Sequence, residues 1–543
     1  MSAADLAGPA DLQLALQRLL LTTEWNAALS RALLCTLLAW AVWRCWKFTV
    51  YPMLHPDEPK ELPYLVPVLG HGPAFFKDSN GLLARARQYF SGINEPFALT
   101  VFGRTFYVVT HAKHSAEVYK HTEALSFEEC IQTLMRFNGS DEEAIQRIYS
   151  PAAIDKPGFP NPKGLSVGVL VQLIHVKQLH PGDNMLSMQT QARDWINRKL
   201  SLDALAKECK LSTSPRPGRI EVPLYEWTSD YFVCLGQHLY FGDVLDRVDP
   251  QYPDAYVVFD ELIWKMLYQY PKFLCRDLTA PRDQMIASLE RYYQLPPDQR
   301  RDQAAWMINA IEDEIRAIGV DDANLAIVVF HLYFAINTNA RKTSFWMLTY
   351  LLRNPEYMAA FRAETAPAFR GNDLVDVTHI HDPAKCPTVD AIWHETLRVT
   401  GWAASVRVVT RDVVVGGKLM RQGNRVMVPH RLLHFDETIF GKDPASWNPR
   451  RWLDTDAGRK LPSSPAWRPF GGGRTKCSGR FLAKYAVTAF VATLLRRFDI
   501  EAVGNPPMPE PDVGRPVLGI ISVKEGYDYQ VAITERKDKG VDV

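Results

Sequence analysis

The stretch from Asn324 to Leu352 contains neither Gly nor Pro, is rich in apolar residues and is stopped by Asn354-Pro355. Pro cannot continue a helix and pushes the residue before it to extended geometry, so this run predicts one long helix with a defined end. A helix apolar around most of its circumference is a buried one, and the rest of the chain has to pack round it. Taken alone, Thr338 and Asn339 on that helix read as satisfied core polar residues. The chain can supply such a core: of 543 residues 47% are hydrophobic and 23% charged, ordinary values for a globular protein. Its net charge of +1 is too balanced to suggest nucleic acid as a partner.

A second stretch carries the chemistry. Phe470-Gly-Gly-Gly473-Arg474-Thr475-Lys-Cys477-Ser-Gly479 is followed at once by the helix-forming run that starts at Arg480. Consecutive glycines lose the most backbone freedom on ordering, so the loop is expected to let backbone approach a ligand closely. Cys477 falls at a helix start, where unpaired N–H groups and the helix dipole favour a thiolate and lower its pKa. Such a thiolate can hold a metal. As a phosphate cradle the loop is poor, because position 476 is not glycine and no Gly-Lys-Ser/Thr follows. A turn around a buried structural Cys stays open as the alternative. The eight cysteines include no Cys-x-x-Cys pair, which argues for a reducing compartment and against zinc or a disulfide framework.

Phe470, Gly473, Cys477 and Gly479 match the haem-binding loop of the cytochrome P-450 superfamily, and the chain resembles that superfamily. The resemblance implies a mainly α fold with a small β-sheet region, haem b as cofactor, and Cys477 as the metal ligand, the axial thiolate of haem iron. Phe470, Gly473 and Arg474 would belong to the haem-binding loop. One position departs: the family usually has Arg or His two before the Cys, touching a haem propionate, and this chain has Thr475. A thiolate ligand pushes electron density onto iron and favours oxygen-oxygen cleavage, the chemistry of a monooxygenase.

Other pieces follow in the family's order. Phe345-Trp346 to Pro355 sets the register of the oxygen-side helix, placing Thr338 where an Asp or Glu is usual and Asn339 where a Thr handles the oxygen-bound proton. These two are the implied catalytic residues. An Asn can donate to or accept from bound oxygen but relays a proton less readily than a hydroxyl. The same substitution resembles the branch with sterol 7-alpha-hydroxylases, sterol 12-alpha-hydroxylases and prostacyclin synthase. It leaves a haem-thiolate isomerase or dehydratase, acting without a reductase, as the alternative reaction.

On the helical run Val389–Val399, Glu395 and Arg398 share one face; by themselves they read equally as a solvated pair of little worth. The run is similar to the family's Glu-x-x-Arg helix, and Trp447-Asn-Pro449-Arg-Arg451-Trp452 to the element whose Arg completes a buried structural triad. That implies Glu395, Arg398 and Arg451. Arg407, by its spacing before Asp412, resembles the strand Arg that binds a haem propionate; a strand-edge Arg is the plain alternative. Trp402–Ser405 and the turn Val517–Ile520 would face substrate, and their apolar character suggests a lipophilic molecule. Sterol-, terpenoid- or polyketide-like substrates fit, with secondary metabolite biosynthesis in a eukaryotic microbe as the implied setting.

The N-terminal segment, residues 1–50, becomes apolar from Ala27 to Trp46. Its unbroken run is short for a spanning helix, yet flanking Arg31 and Arg44 can snorkel and Trp43 and Trp46 suit an interface, so a membrane anchor is expected, with a buried core helix or an interfacial helix as the plain alternatives. Residues 51–70 form a proline-punctuated hinge, expected to be a stiff spacer, and 71–543 the haem-binding catalytic domain. By resemblance the partners are an NADPH-cytochrome P-450 reductase, cytochrome b5 as a further donor, and the endoplasmic reticulum membrane, with the catalytic domain facing the cytosol. Residues 138–186, rich in Pro, Gly and charge, are expected to be mostly loop. Lys177 within them is a candidate propionate contact beside its plain reading as a solvated lysine.

Overall fold

A computed structural model describes residues 9–90, 92, 95–152 and 158–537, so the start of the predicted 1–50 segment and parts of the predicted 71–543 domain lie outside the described residues. The chain is mainly helical with small sheets, as predicted. The helices that place the site are α1 (Pro9–Cys45), α2 (Ala112–Lys120), α3 (Glu128–Phe137), α4 (Glu142–Tyr149), α5 (Val167–Leu179), α6 (Asp183–Lys199), α7 (Leu224–Phe241), α8 (Tyr252–Leu267), α9 (Arg276–Gln294), α10 (Asp322–Arg353), α11 (Pro387–Thr400) and α12 (Arg480–Arg497).

The long helix is α10, and it is central: α7, α9, α11 and α12 all pack on it. Asp321 starts it by accepting from the Asn324 N–H, which satisfies one of the unpaired donors of a helix N-terminus. Its apolar side chains join the main core, Phe330, Tyr333, Phe345 and Leu351 among those fully buried. A six-stranded sheet lies to one side. Its order is β1 (Lys60–Glu61), β2 (Phe97–Val101), β3 (Arg104–Val108), β6 (Arg425–Pro429), β5 (Ala404–Val409), β4 (Leu125–Ser126). Strands β2 and β3 form a hairpin, turning through Phe102 (φ 47) and Gly103 (φ 75), the paired positive φ values that match strand twist.

Two expectations need correction. The region 138–186 is not mostly loop: it holds α4, α5 and the start of α6. Asp141 caps α4 through the Ala144 N–H, Ile145 and Ile148 are buried, and α5 buries Val167, Leu170 and Ile174, so apolar packing decides over regional composition. Asn138 of the Asn-Gly-Ser sequon is itself buried, its Nδ2 3.0 Å from His331 Nε2. The hinge is not a free spacer either. Trp40 Nε1 donates to the Leu65 carbonyl (2.7 Å), Arg44 Nη1 to that of Tyr64 (2.6 Å), and Lys47 pairs with Glu61 at 2.8 Å. These bonds fold the proline-rich segment back on the end of α1. The apolar window of Asn26–Leu54 is wholly unburied, with mean hydropathy 1.3, whereas α10 passes the same length and hydropathy test but is 61% buried.

Candidate active site

Cys477 sits between the glycine loop and α12. Its N–H donates to the Phe470 carbonyl (3.0 Å), closing the loop, and Arg480 Nη1 donates to its carbonyl (2.7 Å). The thiol is solvent-accessible, yet protein crowds round it enough that burial pushes its pKa up, outweighing the N–H groups of Gly479 and Arg480 and the Arg480 charge. The expected lowering by the helix start is therefore overcome by desolvation in the free protein; a coordinating metal deprotonates a thiol outright.

The glycines have a reason beside the one expected. A Cβ at Gly472 would lie 2.9 Å from the Tyr119 ring, and one at Gly473 would lie 2.8 Å from the Tyr119 carbonyl oxygen. Gly473 also has φ 62, a left-handed geometry that favours glycine. The close approach is thus to α2, and it seats the Cys loop on that helix. Phe470 is half-buried and stacks on Trp393 of α11 at 6.5 Å, while Arg474 is exposed.

Above the loop, α10 shows two faces. Ala335 is exposed on this otherwise packed helix, and with Phe334 it lines a cavity of about 440 Å³ whose wall is mainly apolar: Ile131, Leu134, Val329, Leu332, Val406, Val517 and Leu518 contribute. Asn339 is half-buried and ties down the turn beside that cavity, its Oδ1 accepting from the Ile520 N–H at 2.9 Å. Thr338 is turned the other way. Its hydroxyl, with one proton to donate, lies 2.7 Å from Asp260 Oδ1 and 2.7 Å from the Phe334 carbonyl, with Tyr256 Oη at 3.0 Å. Asp260 of α8 is fully buried with Arg341, and Lys342 Nζ lies 2.9 Å away. Burial pushes the Asp260 carboxyl up, but Lys342 and Arg341 outweigh it and hold it well below the usual carboxylate range. This cluster was not read from the sequence, although Arg341-Lys342 inside an apolar helix and Asp260 inside another were its visible signals.

Arg407 is buried on β5, and its Nη2 donates to the Thr475 hydroxyl, so the strand cation and the departing loop position touch. Arg407 and Arg468 both stand near the Tyr119 ring, at 5.8 and 5.4 Å. Neither makes an ion pair among the described residues, and burial lowers the pKa of each. Buried guanidinium groups without carboxylates are costly unless an anion completes them. Of Trp402–Ser405, Ala404 lines the cavity, whereas Ser405 turns to Tyr119 Oη (2.8 Å) and His430 Nε2 (3.0 Å). Lys177 is exposed, which fits its reading as a solvated lysine.

Glu395, Arg398 and Arg451 come together in the interior. Arg398 grips Glu395 through two bonds of 2.7 Å, and Arg451 Nε reaches Glu395 Oε1 at 3.3 Å. Arg398 also donates to the carbonyls of His434, Pro444 and Ser446, and Arg451 to that of Phe440. The two arginines so gather the segment between Phe440 and Trp452, which leads into the Cys loop.

A crowded cysteine in an exposed loop, a long helix opened at Ala335 on an apolar cavity, and arginines without ion pairs at Thr475 and Tyr119 fit an iron porphyrin with two carboxylates, and define a haem-thiolate protein. The family model described as Cytochrome P450 matches residues 240–530, over half the chain. The chain belongs to the cytochrome P450 family and is a cytochrome P450 monooxygenase, and haem is the family's cofactor. It is 25% identical over 477 residues to cytochrome P450 monooxygenase poxD of Penicillium oxalicum, covering 84% of this chain and 90% of that one. It is 21% identical over 533 residues to cytochrome P450 monooxygenase nodJ of Hypoxylon pulicicidum, 93% of each chain. A shorter match, 30% over 220 residues, covers 37% of this chain and 43% of the 7-alpha-hydroxycholest-4-en-3-one 12-alpha-hydroxylase of Oryctolagus cuniculus. These two matches, which run nearly end to end, are with fungal monooxygenases, and the family is assigned rather than the sterol hydroxylase and prostacyclin synthase branch.

Proposed function

We propose that this monooxygenase oxidises a lipophilic sterol-, terpenoid- or polyketide-like molecule in secondary metabolite biosynthesis, with haem b held by Cys477. The mainly apolar cavity between α10, β5 and the 517–518 turn is the observation that carries this reading, because a site so lined binds a substrate largely by desolvation. Fungal relatives at low identity support the metabolic setting. The sterol branch has the 12-alpha-hydroxylase match and Asn339 in its favour, over a third of the chain only.

When bound, the haem supplies oxygen activation, with the thiolate favouring cleavage of the oxygen-oxygen bond. The chain's residues do the rest. Phe470 and Gly473 shape the loop that presents Cys477, with Arg474 at its outer edge. Arg407 and Arg468 would hold the propionates, Arg468 supplying the cation that Thr475 does not. Glu395, Arg398 and Arg451 lock the approach to the loop. Asn339 fixes the wall of the oxygen side, and Thr338 pins α10 to α8. Residues 71–543 form the catalytic domain, the hinge 51–70 docks on the anchor, and the exposed helix within 1–50 holds the protein in the endoplasmic reticulum membrane, facing the cytosol. Electrons come from an NADPH-cytochrome P-450 reductase, with cytochrome b5 as a further donor. The monooxygenase names of the relatives support this over the reductase-free isomerase or dehydratase. The test is Cys477→Ser, expected to abolish the carbon monoxide difference spectrum, with NADPH-coupled product formation measured in the native protein. An unchanged spectrum in the variant, or equal turnover without reductase, refutes the reading.

A further inference from the structure

The cavity wall is apolar with one discordant side chain. Arg425 of β6 lines it, half-buried. Its guanidinium stands 5.8 Å from the Phe106 ring centroid and makes no ion pair or hydrogen bond among the described residues. A second arginine stands beside it. Arg425 is the register partner of Phe106 on the parallel strand β3, and Arg104, two residues before Phe106, projects from the same face because strand side chains alternate. Arg104 is likewise without an ion pair among the described residues, and its charge, after burial itself, pushes the Arg425 pKa down. Glu128, the carboxylate among the lining residues, stands by Tyr149 and makes no ion pair with Arg425.

Arg104 is exposed and keeps its own hydration, but its charge weighs on the half-buried Arg425, and a desolvated guanidinium without an acceptor is costly. Two fully buried arginines away from the cavity and the Cys loop are provided for. Arg300 grips Glu312 through two bonds of 2.6 Å, and Arg341 has Asp260 and Glu261. The arrangement at the cavity makes sense when an anion arrives from outside. Arg presents parallel donors that match a carboxylate and is weakly hydrated enough to do so at an apolar surface.

Building on the reading of this cavity as the substrate site, we propose that the substrate is an amphipathic carboxylate: its apolar body fills the cavity and its carboxylate is gripped by Arg425, with Arg104 reinforcing the charge. Gripping the charged end fixes how far the apolar body reaches along the cavity, and so which carbon is presented for oxidation.

The haem-loaded full chain is titrated with tetradecanoate, tetradecan-1-ol and tetradecyltrimethylammonium, following the ligand-induced shift of the haem absorption band. One charge-assisted contact predicts about tenfold tighter binding of tetradecanoate than of the alcohol. Arg425→Leu is expected to bring that ratio to about one, Arg425→Lys to keep part of it, and Arg425→Glu to favour the ammonium probe. Absence of the preference in the native protein, or its persistence in Arg425→Leu, overturns the proposal. A fall in haem content in Arg425→Leu with the preference intact also overturns it, by assigning Arg425 to a propionate. The carbon monoxide spectrum of the native protein separates the two levels. If haem is not taken up, the reading of the site fails; a normal spectrum without carboxylate preference sinks the substrate class alone.

Discussion

The contact between Asn339 and Gly519 makes a prediction that neither residue makes singly. Asn339 Oδ1 accepts from the Ile520 N–H at 2.9 Å, and a Cβ on Gly519 would lie 1.9 Å from that same oxygen and 2.7 Å from its Cγ. The turn is held on its other side as well, by Trp402 N to the Gly519 carbonyl (3.0 Å) and Ile521 N to that of Thr400 (2.9 Å), and Trp346 Nε1 donates to the Ile521 carbonyl at 2.8 Å. It therefore cannot swing away freely. Asn339→Ala strands the Ile520 N–H and should cost about 1 to 3 kcal/mol. Gly519→Ala drives a methyl into the carboxamide, an overpacking cost of about 1 to 3 kcal/mol; Gly519 has no left-handed φ, so the clash is the main penalty.

In the double variant the obstructing carboxamide is gone. The second substitution should then cost little, leaving a coupling of at least about 1 kcal/mol, well outside the roughly 0.5 kcal/mol within which independent sites add. Urea unfolding of the three variants measures it. Product distribution should follow the same pattern, since Val517 and Leu518 line the cavity. Additive effects in both assays would refute the claim that Asn339 acts by holding this turn, and would return it to a role at the bound oxygen.

Glu395→Gln should cost about 3 to 5 kcal/mol by leaving Arg398 uncompensated, read as a lowered urea midpoint; a loss below about 1 kcal/mol would mark the pair as solvated. Gly473→Ala should lower haem retention more than Gly472→Ala, because its carbonyl neighbour at Tyr119 cannot yield while a ring can; Tyr119→Leu should rescue the Gly472 variant only. Burial pushes His430 down to about 3, and His331 and His381 to about 4. Below about pH 6.5 the unfolded chain takes up protons that the folded one does not, so these groups should reduce stability as pH falls from about 6.5 toward 4; a flat profile over that range contradicts their burial.

How legible the molecule was in its sequence depends on the distance over which each feature is decided. Glu395 and Arg398 are three apart on one helix, and the Cys loop is contiguous, so local pattern and family resemblance were enough to place them. The crowding at Gly472 and Gly473 was not local: it comes from Tyr119, far away in the chain, and no neighbouring residue announces it. The 138–186 region misled for the opposite reason, since Pro and Gly gathered between α4 and α5 coloured the composition of both helices. Arg425 carries no sequence signal of its own, because an arginine at a strand start is ordinary until the register sets it beside Phe106 and Arg104.

The two faces of α10 explain why an enzyme would bury charges behind its oxygen-side helix. A helix opened on one side at Ala335 loses packing there, and little in its apolar circumference fixes its rotation. Asp260, Arg341, Lys342 and Thr338 fix it from behind, because ion pairs and hydrogen bonds are directional where apolar contacts are not. Asp260→Asn keeps an acceptor for Thr338 but leaves two buried cations short of charge, so it should cost about 3 to 5 kcal/mol near neutral pH. With its carboxyl held below the usual range, the native Asp260 contributes stability above about pH 4 that is lost on further acidification, and the Asn variant should lack that acid slope. Replacing the cluster outright, as D260L/E261Q/R341M/K342M so that Glu261 is not left without its cation, should recover most of the stability, since apolar residues of similar size substitute well for buried ions. It should not recover the native product ratio if directional bonds set the helix rotation. A fourfold variant that regains both would show that packing alone aims this helix.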